Sequence, residues 1–409
     1  MKLEQLIFDW NKLTKLKVRR KIELDDETLR DGLQSPSVTQ PTIEQKKEIV
    51  TLMEKIGIDT CDIGLPATSQ KVANDCLELA RFIVASKFKI KPNCAARTLI
   101  NDIKPIVEIS QKVGMPVEAY IFVGTSPIRQ YAEQWDINFL KKSIKESISF
   151  AVREDLPVTF VTEDTTRSKP RLLKMLYNMA IDYGARGICA CDTVGHATAW
   201  GVFNLIKYIK QNIIRKKKIR LDFHGHRDRG LDIINTIFAI LAGADRVHGC
   251  GLGIGERVGN TPIDLLIVNL HLMKIIKDKN FAVLPEYCKK ISEYTNFPIP
   301  KNYPVFGEDA FETGTGIHAA AIIKALNRNE LDIADSVYSG VPPSVFGRKQ
   351  KILVGPMSGR SNIIYWLKNH GYKEDPELLS FLFDYVKKCN RILKDEELEA
   401  VIMQFNIKK

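Results

Sequence analysis

This sequence predicts an α/β protein: eight strand–helix units closing into a barrel, then a connector and a small helical C-terminal domain. Three observations lead there. Short apolar or β-branched runs recur about every 25 to 40 residues, with helical patterns between them. There are eight such runs, and a chain of 409 residues has room for a (β/α)8 TIM barrel of roughly 250 residues plus a smaller unit. Polar residues able to do chemistry gather directly after the runs, where barrel enzymes build their sites. Strands alternating with helices imply parallel crossovers; an open doubly wound sheet is the competing arrangement.

The elements follow in chain order. Residues 1–20 read as an N-terminal helical extension, with Leu3, Leu6, Ile7 and Trp10 on one side of a short amphipathic helix. No apolar core of a signal peptide is present, and Glu4 and Asp9 weaken a transit-peptide reading. The barrel is expected over 21–285, with strands at 21–24, 60–64, 92–96, 117–123, 158–162, 187–191, 220–226 and 246–251. Helices are expected at 42–56, 136–153, 171–183, 200–214 and 231–242, with Thr42 as an N-cap and Gly57 and Gly184 as C-cap glycines. The basic run Arg215 to Lys218 reads as a solvated turn. Over 286–345, Pro298, Pro300 and Pro304 punctuate a connector, in which Gly314 and Gly316 precede an alanine-rich helix at 317–326. Residues 346–409 read as a small helical subdomain with helices at 361–369, 376–389 and 395–405.

Composition removes several classes. Hydrophobic residues at 44% and charged residues at 27% support a packed core and exclude wholesale disorder. No run of about 18 apolar residues exists, so no membrane-spanning helix is expected. Eight cysteines without a C-x-x-C pair fit neither a disulfide scaffold nor a structural zinc site, and point to a reducing, cytoplasmic compartment. The net charge of +11 suits nucleic acid or anionic small substrates equally. Its dispersal, without aromatics interleaved among the basic residues, argues against nucleic acid.

The densest chemistry is Asp222-Phe-His224-Gly-His226-Arg-Asp228. Residues at i, i+2 and i+4 of a strand share a face, so Asp222, His224, His226 and Asp228 should point one way. Such groups are costly to bury without partners. Two imidazoles at this spacing can share a divalent ion with a distant carboxylate. That carboxylate is Asp31, beside Arg30 at the end of the first strand. Arg30 could stabilise oxyanion character on a carbonyl. Imidazole and oxygen ligands in an open site suit zinc, manganese or magnesium. The glycine-rich run Gly249 to Glu256 reads as a tight turn or a close backbone approach to a ligand. Cys189 and Cys191 read as packed core thiols, and His196, His248, His271, His370, Trp10, Trp135 and Trp366 as structural side chains.

Taken in order, Thr28-Leu-Arg-Asp-Gly, His224-x-His226, Gly253-x-Gly255-Glu256-Arg-x-Gly-Asn260, Gly316-Ile-His318 and Ser358-Gly-Arg360 carry a resemblance over about residues 22 to 405. The chain resembles the 2-isopropylmalate synthase and homocitrate synthase family, the Claisen-condensing branch of the DRE-TIM metallolyases. The resemblance implies acetyl-CoA as donor, a 2-oxo acid as acceptor and a divalent metal held by Asp31, His224 and His226, with Asn260 close by. It implies that Arg30 polarises the keto oxygen and, with Gln34 and Thr193, contacts the acceptor. Glu163, His318 and Tyr338 match the acid–base set, Tyr338 through its Tyr-x8-Gly spacing to Gly347. Gly253, Gly255 and Glu256 fall where coenzyme A contacts are expected. A homodimer with shared sites is implied, since in that family the connector reaches over the partner's barrel.

Three positions depart from the family's wording: Leu33 in place of Glu, Arg227 in place of Asn, and Arg129 where His is common. They bear on the acceptor. Leu33 favours an aliphatic keto acid, whereas Arg129 or Arg227 could pair a second carboxylate. The first-choice acceptor is 3-methyl-2-oxobutanoate, which would place the enzyme in leucine biosynthesis. A homocitrate or citramalate synthase-type acceptor, or an aldol cleavage like that of hydroxymethylglutaryl-CoA lyase, stands as the alternative. The chain stops near residue 409, so the C-terminal regulatory domain of full-length leucine-pathway enzymes is not expected, nor leucine inhibition through it.

Overall fold

The structure, a computed structural model, describes residues 3–13 and 18–408. The chain forms two compact units, Thr14–Ile299, and Pro300–Lys409 together with Met1–Leu13. In the first unit eight strands close into a barrel: β1 (Glu23–Asp26), β2 (Thr60–Asp62), β3 (Lys91–Arg97), β4 (Glu118–Gly124), β5 (Val158–Glu163), β6 (Gly187–Asp192), β7 (Arg220–Gly225) and β8 (Arg246–Gly249). Each is parallel to the next, and β8 returns to β1, where Leu24 pairs with Val247. Closure removes the sheet edges and rules out the open doubly wound sheet.

Local chemistry accounts for the helices that wrap the ring. Helix Ile43–Ile56 starts at Thr42, whose hydroxyl accepts from Gln45 N while the Gln45 side chain accepts from Thr42 N, a reciprocal cap. It ends at Gly57, whose φ of 89° is a left-handed conformation open to glycine. Between these ends Ile49, Met53 and Ile56 recur at helical spacing and are fully buried against the barrel. Each such side chain stabilises the fold by about 1.5–3 kcal/mol. Strand β6 is buried at every position, as a parallel strand covered on both faces must be. Helix Leu284–Thr295 stays with the barrel unit: Tyr287, buried on it, donates to Asp26 and contacts Thr28 Oγ1 at 3.2 Å.

Three expectations need correction. The first strand runs Glu23–Asp26, two residues later than expected, with Asp25 and Asp26 buried instead of forming a loop. The helix expected at 200–214 is α-helical over Ala199–Ile209 and closes with a π turn, Lys210–Ile214, where Lys210 Nζ reaches Asp245 at 2.6 Å. The amphipathic N-terminal helix is instead two separate 3₁₀ turns, Leu3–Gln5 and Trp10–Leu13, with Leu6, Ile7 and Trp10 exposed; residues 1, 2 and 14–17 of that extension lie outside the described residues. The basic run Arg215 to Lys218 is exposed, as a solvated turn should be.

The second unit pairs two short parallel strands, β9 (Glu312–Thr313) and β10 (Lys351–Ile352). Around them lie helices Gly316–Asn327, Leu331–Ser336, Arg360–Asn369, Pro376–Lys388 and Asp395–Lys408. Its core gathers Ile363, Trp366, Leu367, Leu382, Val386 and Leu398. Among the described residues, no helix is long and apolar enough to cross a membrane.

Candidate active site

The site grows from the C-terminal ends of β1 and β7. On β7 the alternation puts His224 and the residue two beyond it, His226, on the same inward side, with ring centroids 4.9 Å apart. After β1 the chain turns sharply, with Arg30 N and Gly32 N both donating to Glu27 O. This turn swings Asp31 toward the imidazoles. Asp31 Oδ2 lies 3.9 Å from His224 Nε2 and 4.0 Å from His226 Nε2. One ligand atom from each of the three falls within 4.8 Å of the others.

These separations exceed hydrogen-bond length yet suit an ion with bonds of about 2.0–2.2 Å, whose opposed ligands stand about 4 Å apart. Two buried atoms without hydrogen-bond partners, Asn260 Oδ1 and His226 Nδ1, lie on the same group of residues. Asn260 Nδ2 donates to Asp31 Oδ1 at 2.7 Å, tying it to the group. The residues therefore fit a divalent ion. A second trio, Glu27, His224 and His248, is also close enough. There, however, the contacts are direct hydrogen bonds of 2.6 and 2.9 Å, so protons fill the space an ion would need.

Glu27 sets the chemistry of His224. An ionised carboxylate can only accept, so His224 Nδ1 carries the proton it donates to Glu27 Oε2 at 2.6 Å, which leaves Nε2, facing Asp31, as the nitrogen where a divalent ion would take the place of a proton. Burial alone would lower His224, but the neighbouring Glu27 charge and hydrogen bond push it up to about 9. Burial, then the positive His224 beside it, push His226 down to about 4. Burial works against an ionised Glu27 too, yet His224, Arg30 and His248 hold it well below the usual carboxylate range.

Arg30 is held on three sides: Nε to Asp62 Oδ2 at 2.7 Å, Nη1 to Asp31 Oδ2 at 2.7 Å and Nη2 to Glu27 Oε1 at 2.9 Å. Two of its five N–H groups remain for a ligand. A cavity of about 210 Å³ opens above it. Gln34, Glu163, Thr193 and Glu256 line this cavity together with Arg30, Asp31, His224 and His226. Burial raises the Glu163 carboxyl, opposed by Arg129. The Thr193 hydroxyl accepts from Asp164 N at 2.8 Å. The cavity's apolar wall includes Leu65, Ala95, Phe122 and Val161.

Other expected residues stand elsewhere. Gly253 and Gly255 do not line the cavity; they shape the loop that carries Asn260. Gly255 has a φ of +150°, and a Cβ on it would overlap Asn260 Nδ2 and stand 3.1 Å from Asp31 Oδ1. His318 and Tyr338 belong to the second unit, stacked on each other with centroids 4.0 Å apart. Asp222 points inward but sits deeper than the histidines, fully buried and gripped by Arg220 and Tyr120 at 2.7 and 2.9 Å. Asp228 lies past the end of β7, where strand alternation lapses, and pairs with Arg257. Leu33 is buried off the cavity, and Arg227 donates its N–H to Gly259 O in the loop, so neither shapes the cavity wall. Arg129 lines a neighbouring recess with Glu163 and Thr193, its guanidinium 3.1 Å from Glu133.

Three participants escaped sequence reasoning. Glu27 and Asp62 hold Arg30, and His248, read as structural, holds Glu27. The acidic run Asp25-Asp26-Glu27 at an apolar strand's end was the available signal. Cys189 and Cys191, buried with their sulfurs 3.9 Å apart, also border the cavity.

Residues 21–291 match the family model described as HMGL-like. The chain is 31% identical to a 2-isopropylmalate synthase of Pyrococcus abyssi, over 94% of this chain and 78% of that protein. It is 31% identical to the homocitrate synthase AksA of Methanocaldococcus jannaschii, over 93% of this chain and 90% of that one. Against the (R)-citramalate synthase of Aquifex aeolicus the identity is 29%, over 91% and 70%. Among solved structures, the HMG-CoA lyase of Bacillus subtilis superposes with a TM-score of 0.59 at 17% identity, over 70% of this chain and 97% of that one, a likeness in fold.

Proposed function

The chain belongs to the HMGL-like family, and within it we propose that it is an acyltransferase condensing acetyl-CoA with a 2-oxo acid, 3-methyl-2-oxobutanoate first among acceptors. The observation that carries this reading is the hollow among Asp31, His224 and His226 at the mouth of a closed barrel, in a chain akin over more than nine-tenths of its length to 2-isopropylmalate and homocitrate synthases. Asp31, His224 and His226 would hold a divalent zinc, manganese or magnesium ion, with Asn260 Oδ1 beside it.

When bound, such an ion supplies Lewis-acid polarisation of a carbonyl. The chain's own residues supply the rest. Arg30 turns its two unengaged N–H groups to the keto oxygen and holds the negative charge that develops there as the carbon–carbon bond forms. Gln34 and Thr193 orient the acceptor's carboxylate. The acetyl methyl must lose a proton. Glu163, whose carboxyl burial raises above its ordinary value, is assigned to the acid–base set, and His318 and Tyr338 join it on the family pattern, with His318 as general base. Water then cleaves the thioester and releases coenzyme A, for which Glu256 and the Gly253–Gly255 turn are the assigned contacts.

The acceptor follows from the walls. Leu65, Ala95, Phe122 and Val161 favour an aliphatic side chain. Arg30 is the one arginine among the residues lining this cavity, and no lysine joins it; Arg129 stands in the neighbouring recess. A homodimer sharing its sites, in the cytoplasm and in leucine biosynthesis, belongs to the same reading. The test is coenzyme A thiol release from acetyl-CoA across a panel of 2-oxo acids. The fastest release is expected with 3-methyl-2-oxobutanoate. Preference for 2-oxoglutarate or pyruvate would overturn the acceptor, and release with none would overturn the reaction class.

A further inference from the structure

Beneath the histidines the barrel interior holds a second layer of polar residues that the proposed chemistry leaves unused. Asp222, His248 and Glu27 are fully or almost fully buried. Asp222 accepts from Arg220 Nε at 2.7 Å and from the Tyr120 hydroxyl at 2.9 Å. His248 Nε2 stands 3.5 Å from Asp222 Oδ2 in an ion-pair contact. His248 Nδ1 meets Glu27 Oε1 at 2.9 Å, and Glu27 Oε2 meets His224 Nδ1 at 2.6 Å. A line of contacts thus runs from the floor of the barrel to the imidazole nearest the hollow.

We propose that His248 is a positioning residue: anchored beside Asp222, it fixes the Glu27 carboxylate against His224 Nδ1 and so sets the direction and tautomer in which His224 Nε2 meets a divalent ion. The inference rests on the metal-site reading given above and deepens it. The partners of metal-bound histidines commonly tune affinity about 10- to 100-fold, and Glu27 has the right atom in the right place. Glu27 cannot hold that pose unaided. Its Oε1 is shared by His248 and by Arg30, and Arg30 also answers to Asp31 and Asp62. The same His248 Nδ1 also faces the Asp25 carboxylate, 3.8 Å from its Oδ2, which lacks a hydrogen-bond partner. Without the imidazole, two carboxylates would face each other across a void, and Glu27 would turn away from His224.

The test reads binding and needs no turnover. Co²⁺ is titrated into the full-length wild type, His248→Ala, His248→Asn and Glu27→Gln, following the visible absorption of the bound ion. Asn places an amide N–H where Nδ1 stood, so it should bind within about threefold of wild type. His248→Ala and Glu27→Gln should bind about 10- to 100-fold more weakly, with altered cobalt bands. A residue that merely packs the core would lower the melting temperature and leave both the dissociation constant and the bands unmoved; that result in His248→Ala overturns the inference. Should the alanine variant fail to fold, wild-type affinity in Glu27→Gln overturns it equally. Absence of stoichiometric Co²⁺ binding by the wild type would instead bring down the metal-site reading, and the inference with it.

Discussion

Replacing Arg30 by lysine tests how the site is held together. The guanidinium makes three charge-assisted bonds, at 2.7, 2.7 and 2.9 Å, to Asp62, Asp31 and Glu27. All three carboxylates are buried. A lysine ammonium is a point charge that keeps about one of these bonds in good geometry. Losing two, at about 1.5–3 kcal/mol each, costs about 3–6 kcal/mol. At about 2 °C per kcal/mol for a protein of this size, melting should fall by about 6–12 °C. The loss depends on pH. Burial lifts Asp62 to about 7 even with Arg30 beside it. A group whose folded pKa is raised contributes stability at low pH and loses it as pH rises through that value. Lysine removes the best partner of Asp62, so the variant meets this loss in full, whereas at pH 6 protonation neutralises Asp62 and softens the change. The assay is thermal melting of wild type and Arg30→Lys at pH 6 and 8.5, with a chelator present so that metal binding does not contribute. A fall below 2 °C at both pH values, or one that fails to grow with pH, would refute the reasoning.

Three further outcomes are expected. Zn²⁺ at about 100 times its dissociation constant should stabilise the wild type by about 2.7 kcal/mol, a rise of several degrees that chelation reverses, while His226→Ala should show no shift; an equal shift in both would place the ion elsewhere. Asp26, lifted to about 7 by burial against hydrogen bonds from Thr28 and Tyr287, should make the wild type lose up to about 4 kcal/mol of stability as pH rises from 4 to 9; Asp26→Asn, which cannot ionise, should lose correspondingly less, and parallel melting curves would contradict this. Gly255→Ala should destabilise the protein by about 1–2 kcal/mol through its left-handed φ and weaken metal binding by displacing Asn260 from Asp31, whereas Gly340→Ala, with nothing within 4 Å of its added Cβ, should melt like wild type.

Much of this architecture was legible residue by residue. The strand at 187–191 and its neighbours read correctly because a parallel strand covered on both faces is a continuous apolar run, and β6 occupies Gly187–Asp192. The capping residue Thr42 and the stop at Gly57 read correctly because caps are local chemistry. The pairing of His224 with His226 followed from strand alternation alone. Asp228 failed the same rule because the strand ends at Gly225 and its extended backbone reaches only one residue further, to His226, which bridges to Asn260; ends depend on where the neighbouring strands stop pairing. Glu27 and His248 were missed because an acid and a histidine 221 positions apart carry no joint signal until closure sets them 2.9 Å from each other.

The order of apolar runs, the caps and the short motifs determined on their own that this chain forms a strand–helix ring with a histidine pair at its mouth, since periodicity and capping act within a few residues. Tertiary structure alone decided that a second carboxylate, Glu27, meets those histidines, which of two candidate trios leaves space for an ion and which merely shares protons, and what role the glycines around Asn260 play. Those outcomes turn on separations of an ångström between residues far apart in the chain. Only the closed ring, in which β8 hydrogen-bonds back to β1, fixes distances of that kind.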